Sequence, residues 1–261
     1  MKFPEAIARL LPEAAWQTDT VGMSRSSVLL FEDRVLKIDQ DWEESRREAR
    51  LMEWLQGRLP VPEVLCREAA EGRSYLLMTR LPGRMLCDEA YMERPEELTA
   101  LAAQGLKLLW QTDISQCPVD ARLDVKLAMA RYNIEHGLVD LDNVEPETFG
   151  PGGFQGPEDL LRWLEGHRPP EDLVFSHGDY CLPNIFARDG AVSGFLDLGR
   201  GGAADRYQDI ALCYRSLLHN YGGKYSGRAY EGFSPELLFQ ALDLRPDWEK
   251  IRYYILLDEL F

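Results

Sequence analysis

Hydrophobic residues recur with two different periods along this chain, and the change of period divides it. The apolar runs Val28-Leu29-Leu30-Phe31 and Val35-Leu36-Lys37-Ile38 flank Glu32-Asp33-Arg34, the composition of a strand, a turn and a strand. Leu76-Leu77-Met78 is a further apolar strand, running through Thr79, Arg80 and Leu81 into the breaker Pro82-Gly83. One helical signal lies among these strands: Glu48, Leu51, Met52 and Leu55 fall at i, i+3, i+4 and i+7 of a helix predicted over 42–56. Asp41, with Glu44 three residues later, is a capping box that would start it. Beyond Gly83 the period is helical, over 95–112, 122–136, 157–165, 205–219 and 248–260. The expected architecture is α+β and bilobal. A small N-terminal lobe of antiparallel strands with one key helix would occupy 1–80, and a larger, mainly helical C-terminal lobe 81–261.

Two charged residues break this pattern in a complementary way. Lys37 interrupts an apolar strand, where a lysine either reaches out to solvent or meets a buried anion. Glu48 lies on the apolar face of the predicted helix, where a carboxylate is costly unless paired. Glu48 is the natural partner for Lys37, with Glu44 and Glu53 as the competing carboxylates. A Lys–Glu pair of this kind directs a lysine onto the phosphates of ATP in a kinase.

The densest polar motif is Ser176-His177-Gly178-Asp179-Tyr180-Cys181-Leu182-Pro183-Asn184, followed by Phe195-Leu196-Asp197-Leu198-Gly199. An Asp that accepts a hydroxyl proton, an Asn five positions on and a downstream Asp are the polar parts of a phosphoryl-transfer centre that uses Mg-ATP. Between them, Ile185-Phe186-Ala187, a turn at Arg188-Asp189-Gly190 and Val192 to Leu196 read as a hairpin. That hairpin brings Asn184 and Asp197 to the same end, where both can face one Mg²⁺, a cation that prefers oxygen ligands. Asp179 is the catalytic candidate. His177, just before it, reads as scaffold rather than base.

Charge sharpens the substrate class. With 29 Lys+Arg against 44 Asp+Glu, the net charge of −15 argues against nucleic acid and anionic membrane as partners. It suits a polycation. The segment from Asp140 to Asp172 holds nine acidic residues against Arg162 and Arg168, a surface fit for ammonium groups. The 5 cysteines show no CxxC pair and no metal-ligand spacing, which fits reduced thiols in a cytoplasm. Pro4 and Glu5 interrupt any signal-peptide core, and no run approaches a membrane span, so a cytoplasmic location without an obligatory protein partner is expected.

The segment from Leu173 to Ser216 and the terminal Pro-Asp-Trp-Glu-Lys-Ile-Arg-Tyr-Tyr-Ile-Leu-Leu-Asp-Glu-Leu-Phe resemble the aminoglycoside 3′-phosphotransferases, kinases that confer antibiotic resistance. The resemblance implies a protein-kinase-like fold, ATP and Mg²⁺ as cofactors, and an aminoglycoside substrate such as kanamycin or neomycin phosphorylated on its 3′-hydroxyl. It implies that the loop at Met23 and Ser24 approaches the phosphates, that backbone around Thr79 to Leu81 binds adenine, and that Lys37 pairs with Glu48. For the amino sugars it implies Glu145 and Glu147 in an acidic loop, with Asp142 as an alternative, together with Asp258, Glu259 and the terminal carboxylate of Phe261. Arg200 and Arg215 match positions near the substrate and would either touch it or orient carboxylates. Residues 145–153 are expected to form a flexible loop.

Two other readings remain open: a kinase of another small amine, sugar or macrolide on the same fold, and a non-catalytic nucleotide-binding module. A protein kinase is disfavoured, since no activation segment ending in Ala-Pro-Glu follows Asp197.

Overall fold

The side chains of β3 (Arg34–Gln40) alternate between two different neighbours, and this alternation organises the N-terminal half of the molecule. A computed structural model describes residues 3–12, 16–18, 26–40 and 43–261. In it β1 (Gln17–Thr18), β2 (Ser27–Leu30), β3, β4 (Val64–Ala70) and β5 (Arg73–Thr79) form one antiparallel sheet in the order β1-β2-β3-β5-β4. Leu36 and Ile38, with Tyr75 and Leu77 opposite, pack on one face with Ile7 of the short α1 (Glu5–Leu10). The other parity turns Lys37, Leu76 and Met78 to the opposite face, where α2 (Glu43–Leu55) packs Leu51, Met52 and Leu55. That second face is continuous with the core of the C-terminal half, so the sheet closes at Thr79 while the apolar packing runs on past it.

Beyond β6 (Arg84–Met85) and α3 (Glu89–Met92), the chain is built on α4 (Pro95–Trp110), α5 (Leu123–Glu135) and α6 (Pro157–Gly166). After them come β7 (Leu173–Ser176), β8 (Ile185–Arg188), β9 (Ala191–Phe195) and β10 (Gly202–Asp205), then α7 (Arg206–Tyr221), α8 (Pro235–Leu242) and α9 (Trp248–Asp258). The antiparallel sets β7–β10 and β6–β8–β9 lie among these helices; the β8–β9 hairpin was expected from the sequence, whereas β6, β7 and β10 were not. Their short apolar runs carry no period of their own, so helix and strand look alike in the sequence. Helix α8 was also missed. The helix expected over 42–56 spans Glu43–Leu55; its proposed cap, Asp41, lies outside the described residues, as do Met23 and Ser24.

The predicted hairpin forms with Arg188 opposite Ala191, so its turn is the two-residue Asp189-Gly190, both with positive φ (52° and 76°). That is the backbone a tight two-residue hairpin turn requires, and Asp-Gly supplies it at low cost. The segment 145–153 departs from expectation, because it is tied down. Thr148 is buried, its N–H donates to the Glu145 carbonyl at 2.9 Å, and Phe154 N–H donates to the Thr148 carbonyl at 2.8 Å.

Asp205, at the junction of β10 and α7, holds the C-terminal half together. Its carboxylate accepts from Lys250 Nζ at 2.8 Å and from the Tyr254 hydroxyl at 3.0 Å, both on α9, and caps α7 through Tyr207 N–H. Removing one partner of a buried pair strands the other charge. Asp205→Ala is therefore expected to lower unfolding free energy by about 3–5 kcal/mol, read from urea denaturation. A loss below about 1 kcal/mol, the size of an exposed pair, would show that Lys250 finds another partner or water.

Candidate active site

Strand parity aims Lys37 at α2, and helical period aims Glu48 back at it. Lys37 Nζ lies 2.9 Å from Glu48 Oε2 and 2.5 Å from Asp197 Oδ1, so one ammonium joins the N-terminal sheet, α2 and the segment after β9. Burial works against the Lys37 charge, but Glu48 and Asp197 outweigh it and hold its pKa above the ordinary lysine value. Burial likewise disfavours ionisation of Asp197, yet Lys37 overcomes this and depresses its pKa. Of the three acids that could have met Lys37, only Glu48 does among the described contacts. Glu44 instead faces Arg200 at 3.5 Å.

Asp197 sits in left-handed backbone (φ 59°, ψ 54°), a conformation that costs a non-glycine residue about 1–2 kcal/mol. The hairpin brings it beside Asn184: Ile185 pairs with Phe195, and Leu196 N–H donates to the Asn184 carbonyl at 2.9 Å. Asn184 Nδ2 donates to the Asp179 carbonyl at 2.9 Å and to Asp179 Oδ2 at 3.0 Å, while the Cys181 thiol donates to Asp179 Oδ1 at 3.1 Å. Both oxygens of the half-buried Asp179 carboxylate are thereby oriented. With its amide nitrogen engaged on Asp179, Asn184 has its amide oxygen left for a cation, and Asp197 contributes a carboxylate. Two hard oxygen donors beside room for phosphate oxygens and water are a ligand set that suits Mg²⁺. Among the described residues no group of three or more His, Cys, Asp or Glu gathers as an all-protein metal cage.

The loop carrying Asp179 is held from behind by Asp209, a residue that sequence reasoning did not assign. Its buried carboxylate accepts from Ser176 Oγ (3.0 Å), His177 N–H (2.7 Å) and Gly178 N–H (2.9 Å). Burial raises its pKa, and these three donors oppose the rise. The signal was available, since Asp209 precedes the apolar run Ile210 to Cys213 as Glu48 precedes its own. His177 is scaffold as expected: fully buried, it accepts the Asp179 N–H on Nδ1 at 3.3 Å. Gly178 has φ +84°, and a Cβ there would lie 2.1 Å from the Arg200 carbonyl, so only glycine lets these two loops touch.

Beside Asp179 opens a second cleft of about 180 Å³, lined in part by Asp140, Glu145, Cys181, Arg215, Asp258, Glu259 and Phe261. Arg215 pairs with Asp258 and, at 3.2 Å, with Glu259, while Arg200 reaches Asp258 at 3.5 Å. Arg200 and Arg215 are both paired with these carboxylates, and Arg215 also lines the cleft. Burial opposes ionisation of Asp258, but Arg215 and Arg200 hold its pKa low. Glu259 Oε2 also accepts the Glu145 N–H at 2.9 Å, which pins the acidic loop to the end of α9. Glu147 does not join this cleft. It is exposed and without a side-chain partner among the described residues, and Asp140 lines the wall where Glu147 or Asp142 was expected. Two residues not foreseen, His219 and Lys224, line it as well. At the nucleotide end, the Thr79 N–H is engaged by the Glu63 carbonyl at 3.0 Å, whereas the Leu81 backbone has no hydrogen-bond partner among the described residues. The Thr79 N–H is thus already used, and the Leu81 backbone is available to a ligand.

The phosphotransferase enzyme family model matches residues 19–254. The chain belongs to this family. Its relatives include an aminoglycoside 3′-phosphotransferase of Enterococcus faecalis, 41% identical over 100% of this chain and 99% of that protein. Among solved structures, an aminoglycoside-3′-phosphotransferase of type VIII superposes with a TM-score of 0.79 at 30% identity, covering 98% of this chain and 97% of the other. An aminoglycoside phosphotransferase of Streptomyces rimosus in complex with ADP and streptomycin gives 0.76 at 25% identity, covering 94% and 92%. These likenesses show the bilobal, protein-kinase-like α+β fold expected from the sequence. No helix of the described residues is long and apolar enough to cross a membrane.

Because Asp209 is the single acceptor for three donors of the catalytic loop, Asp209→Asn is expected to cost about 1–3 kcal/mol of stability. It should also reduce turnover more than ATP affinity. Urea unfolding alongside steady-state kinetics checks this, and equal losses in turnover and in ATP affinity would contradict a role confined to the loop.

Proposed function

We propose that this chain transfers the γ-phosphoryl group of ATP to the 3′-hydroxyl of an aminoglycoside antibiotic and so confers resistance. The observation that carries the reading is the Lys37 ammonium shared by Glu48 and Asp197, with the Asp179–Asn184 pair closing the same site. The aminoglycoside specificity draws on the names of the full-length relatives and on the acid-rich cleft beside Asp179.

Asp179 accepts a hydrogen bond from the substrate hydroxyl, fixes it in line with the phosphorus and takes its proton late, since a loose transition state needs little early deprotonation. Cys181 and Asn184 hold the carboxylate so that little reorganisation is needed. Asn184 and Asp197 would hold Mg²⁺, which when bound neutralises charge on the β- and γ-phosphates. Lys37 would meet those phosphates, and the backbone from Thr79 to Leu81 the adenine edge; Met23 and Ser24 are proposed for the phosphates on the family resemblance. In the acidic cleft, Glu145, Asp258, Glu259 and Phe261 face the amino sugars, while Arg200 and Arg215 keep Asp258 ionised and Arg215 holds Glu259 in place.

Positioned acid–base groups contribute about 10²–10⁴-fold. Asp179→Ala is therefore expected to reduce turnover of kanamycin by at least that range while ATP binding persists. Half-maximal activity in this variant would sink the role given to Asp179. In the wild type, ADP release with kanamycin should vanish with a congener lacking the 3′-hydroxyl. Turnover that persists with the congener would move the reaction to another hydroxyl, and no turnover with either would redirect the search to other amines.

Burial raises Glu259 to a pKa of about 7, with Asp258 and Glu145 adding to the rise against the Glu145 N–H and Arg215. Its folded value lies above the ordinary glutamate value of 4.5, so its contribution to stability declines as pH rises from 4.5 to 7. Cation binding runs the other way, because the cleft gains a negative charge through that window. KM for kanamycin is expected to fall between pH 6 and pH 8, and Glu259→Gln to flatten that fall. An unchanged profile in the variant would remove Glu259 from substrate binding.

A further inference from the structure

One acid of the substrate cleft already has an ammonium on it, and the ammonium belongs to the protein. Lys224 Nζ lies 3.3 Å from Glu145 Oε1, and the same oxygen meets His219 Nε2 at 2.8 Å. The backbone sets this cation in place. Helix α7 ends at Gly222 and Gly223, with Gly223 at φ +79°. Lys224 N–H then donates to the His219 carbonyl at 2.9 Å, and Gly223 N–H to the Asn220 carbonyl at 3.1 Å. This is the Schellman pair of hydrogen bonds, which fixes the direction of the residue just past a helix end. His219 sits in the last turn of α7 and its Nδ1 meets the Tyr225 hydroxyl at 3.0 Å, so one helix end delivers both groups to the cleft wall. With these groups folded in, the cleft measures about 180 Å³. Sites that enclose small molecules usually run to roughly 300–1,000 Å³.

Resting on the reading that this cleft takes amino sugars, we infer that Lys224 is a specificity-determining residue. Its ammonium stands in for a substrate ammonium at Glu145, so an aminoglycoside must displace it to use that carboxylate. A substrate whose ammonium reaches Glu145 pays this exchange, and one whose amines bind only toward Asp258 and Glu259 does not. Lys224 thereby selects among polyamines without touching the reacting atoms. The pair is partly exposed, with Lys224 at 43% and Glu145 at 29% side-chain accessibility, so the exchange is of the modest size that exposed ion pairs have.

The test compares wild type, Lys224→Met, Lys224→Arg and Glu145→Gln with and without Lys224→Met. Kanamycin is the probe, in calorimetric titration and in coupled turnover. Lys224→Met is expected to tighten kanamycin binding about two- to fivefold, the range of such pairs, with KM for ATP unmoved, and Lys224→Arg to bind like wild type. On the Glu145→Gln background the gain should disappear, because the coupling is local. A gain that persists there reports a general change of charge and overturns the inference. Unchanged or weaker binding by Lys224→Met overturns it as well, and leaves the kinase reading intact provided wild type turns kanamycin over. A wild type that neither binds nor phosphorylates kanamycin overturns both.

Discussion

A buried ammonium with two carboxylates on it is the constraint around which the catalytic half of this molecule is arranged. Lys37 cannot be desolvated alone, and Glu48, on the apolar face of α2, cannot either. Together with Asp197 they form a charge set whose members come from three separate stretches of chain, 160 residues apart at the extremes. Satisfying that set fixes α2 against β3 and brings the segment after β9 up to both. Everything that phosphoryl transfer needs then falls within reach of Asp197. The hairpin ties Asn184 to it, Asn184 ties Asp179, and Asp209 holds the loop from behind. Preorganised oxygens and cations of this kind are worth most in a reaction with little covalent work for the protein to do.

The substrate side follows a different rule. Its acids are numerous but not idle: Arg215 and Arg200 hold Asp258, the Glu145 N–H and Arg215 hold Glu259, and Lys224 with His219 hold Glu145. Cations within the cleft orient these carboxylates, and hold Asp258 ionised, while competing with the ammonium groups the carboxylates would bind. The overall charge of −15 draws a polycation toward the surface. On the proposed reading, the internal pairing sets which of its amines find a vacant partner.

Legibility in the sequence tracked the range of the interaction. The Asp-Gly hairpin was read correctly because its turn depends on two adjacent residues with positive φ. Glu48 was found because a carboxylate on an apolar helical face announces a missing partner, and the family resemblance favoured it over Glu44 and Glu53. Asp209 carries the same signal and was passed over. Strands β7 and β10 were invisible, since each is a short apolar run whose identity as strand comes from the other, about thirty residues away. The loop at 145–153 looked loose from its prolines and glycines, yet Thr148 is buried and Glu145 is pinned to α9.

The sequence by itself determined the chemistry. Residue types at set spacings, His-Gly-Asp with Asn five positions after the Asp and an Asp beyond a hairpin, point to phosphoryl transfer, because that spacing brings the groups to one end of one hairpin. It also determined family and fold class. Only the tertiary structure decided which acids line the cleft and which cation each of them meets. Asp140 entered the cleft and Glu147 did not, and Lys224 arrived on Glu145 through a helix end. Those pairings join residues distant along the chain, and what decides them is burial and the partner each charge finds there, neither of which local composition encodes.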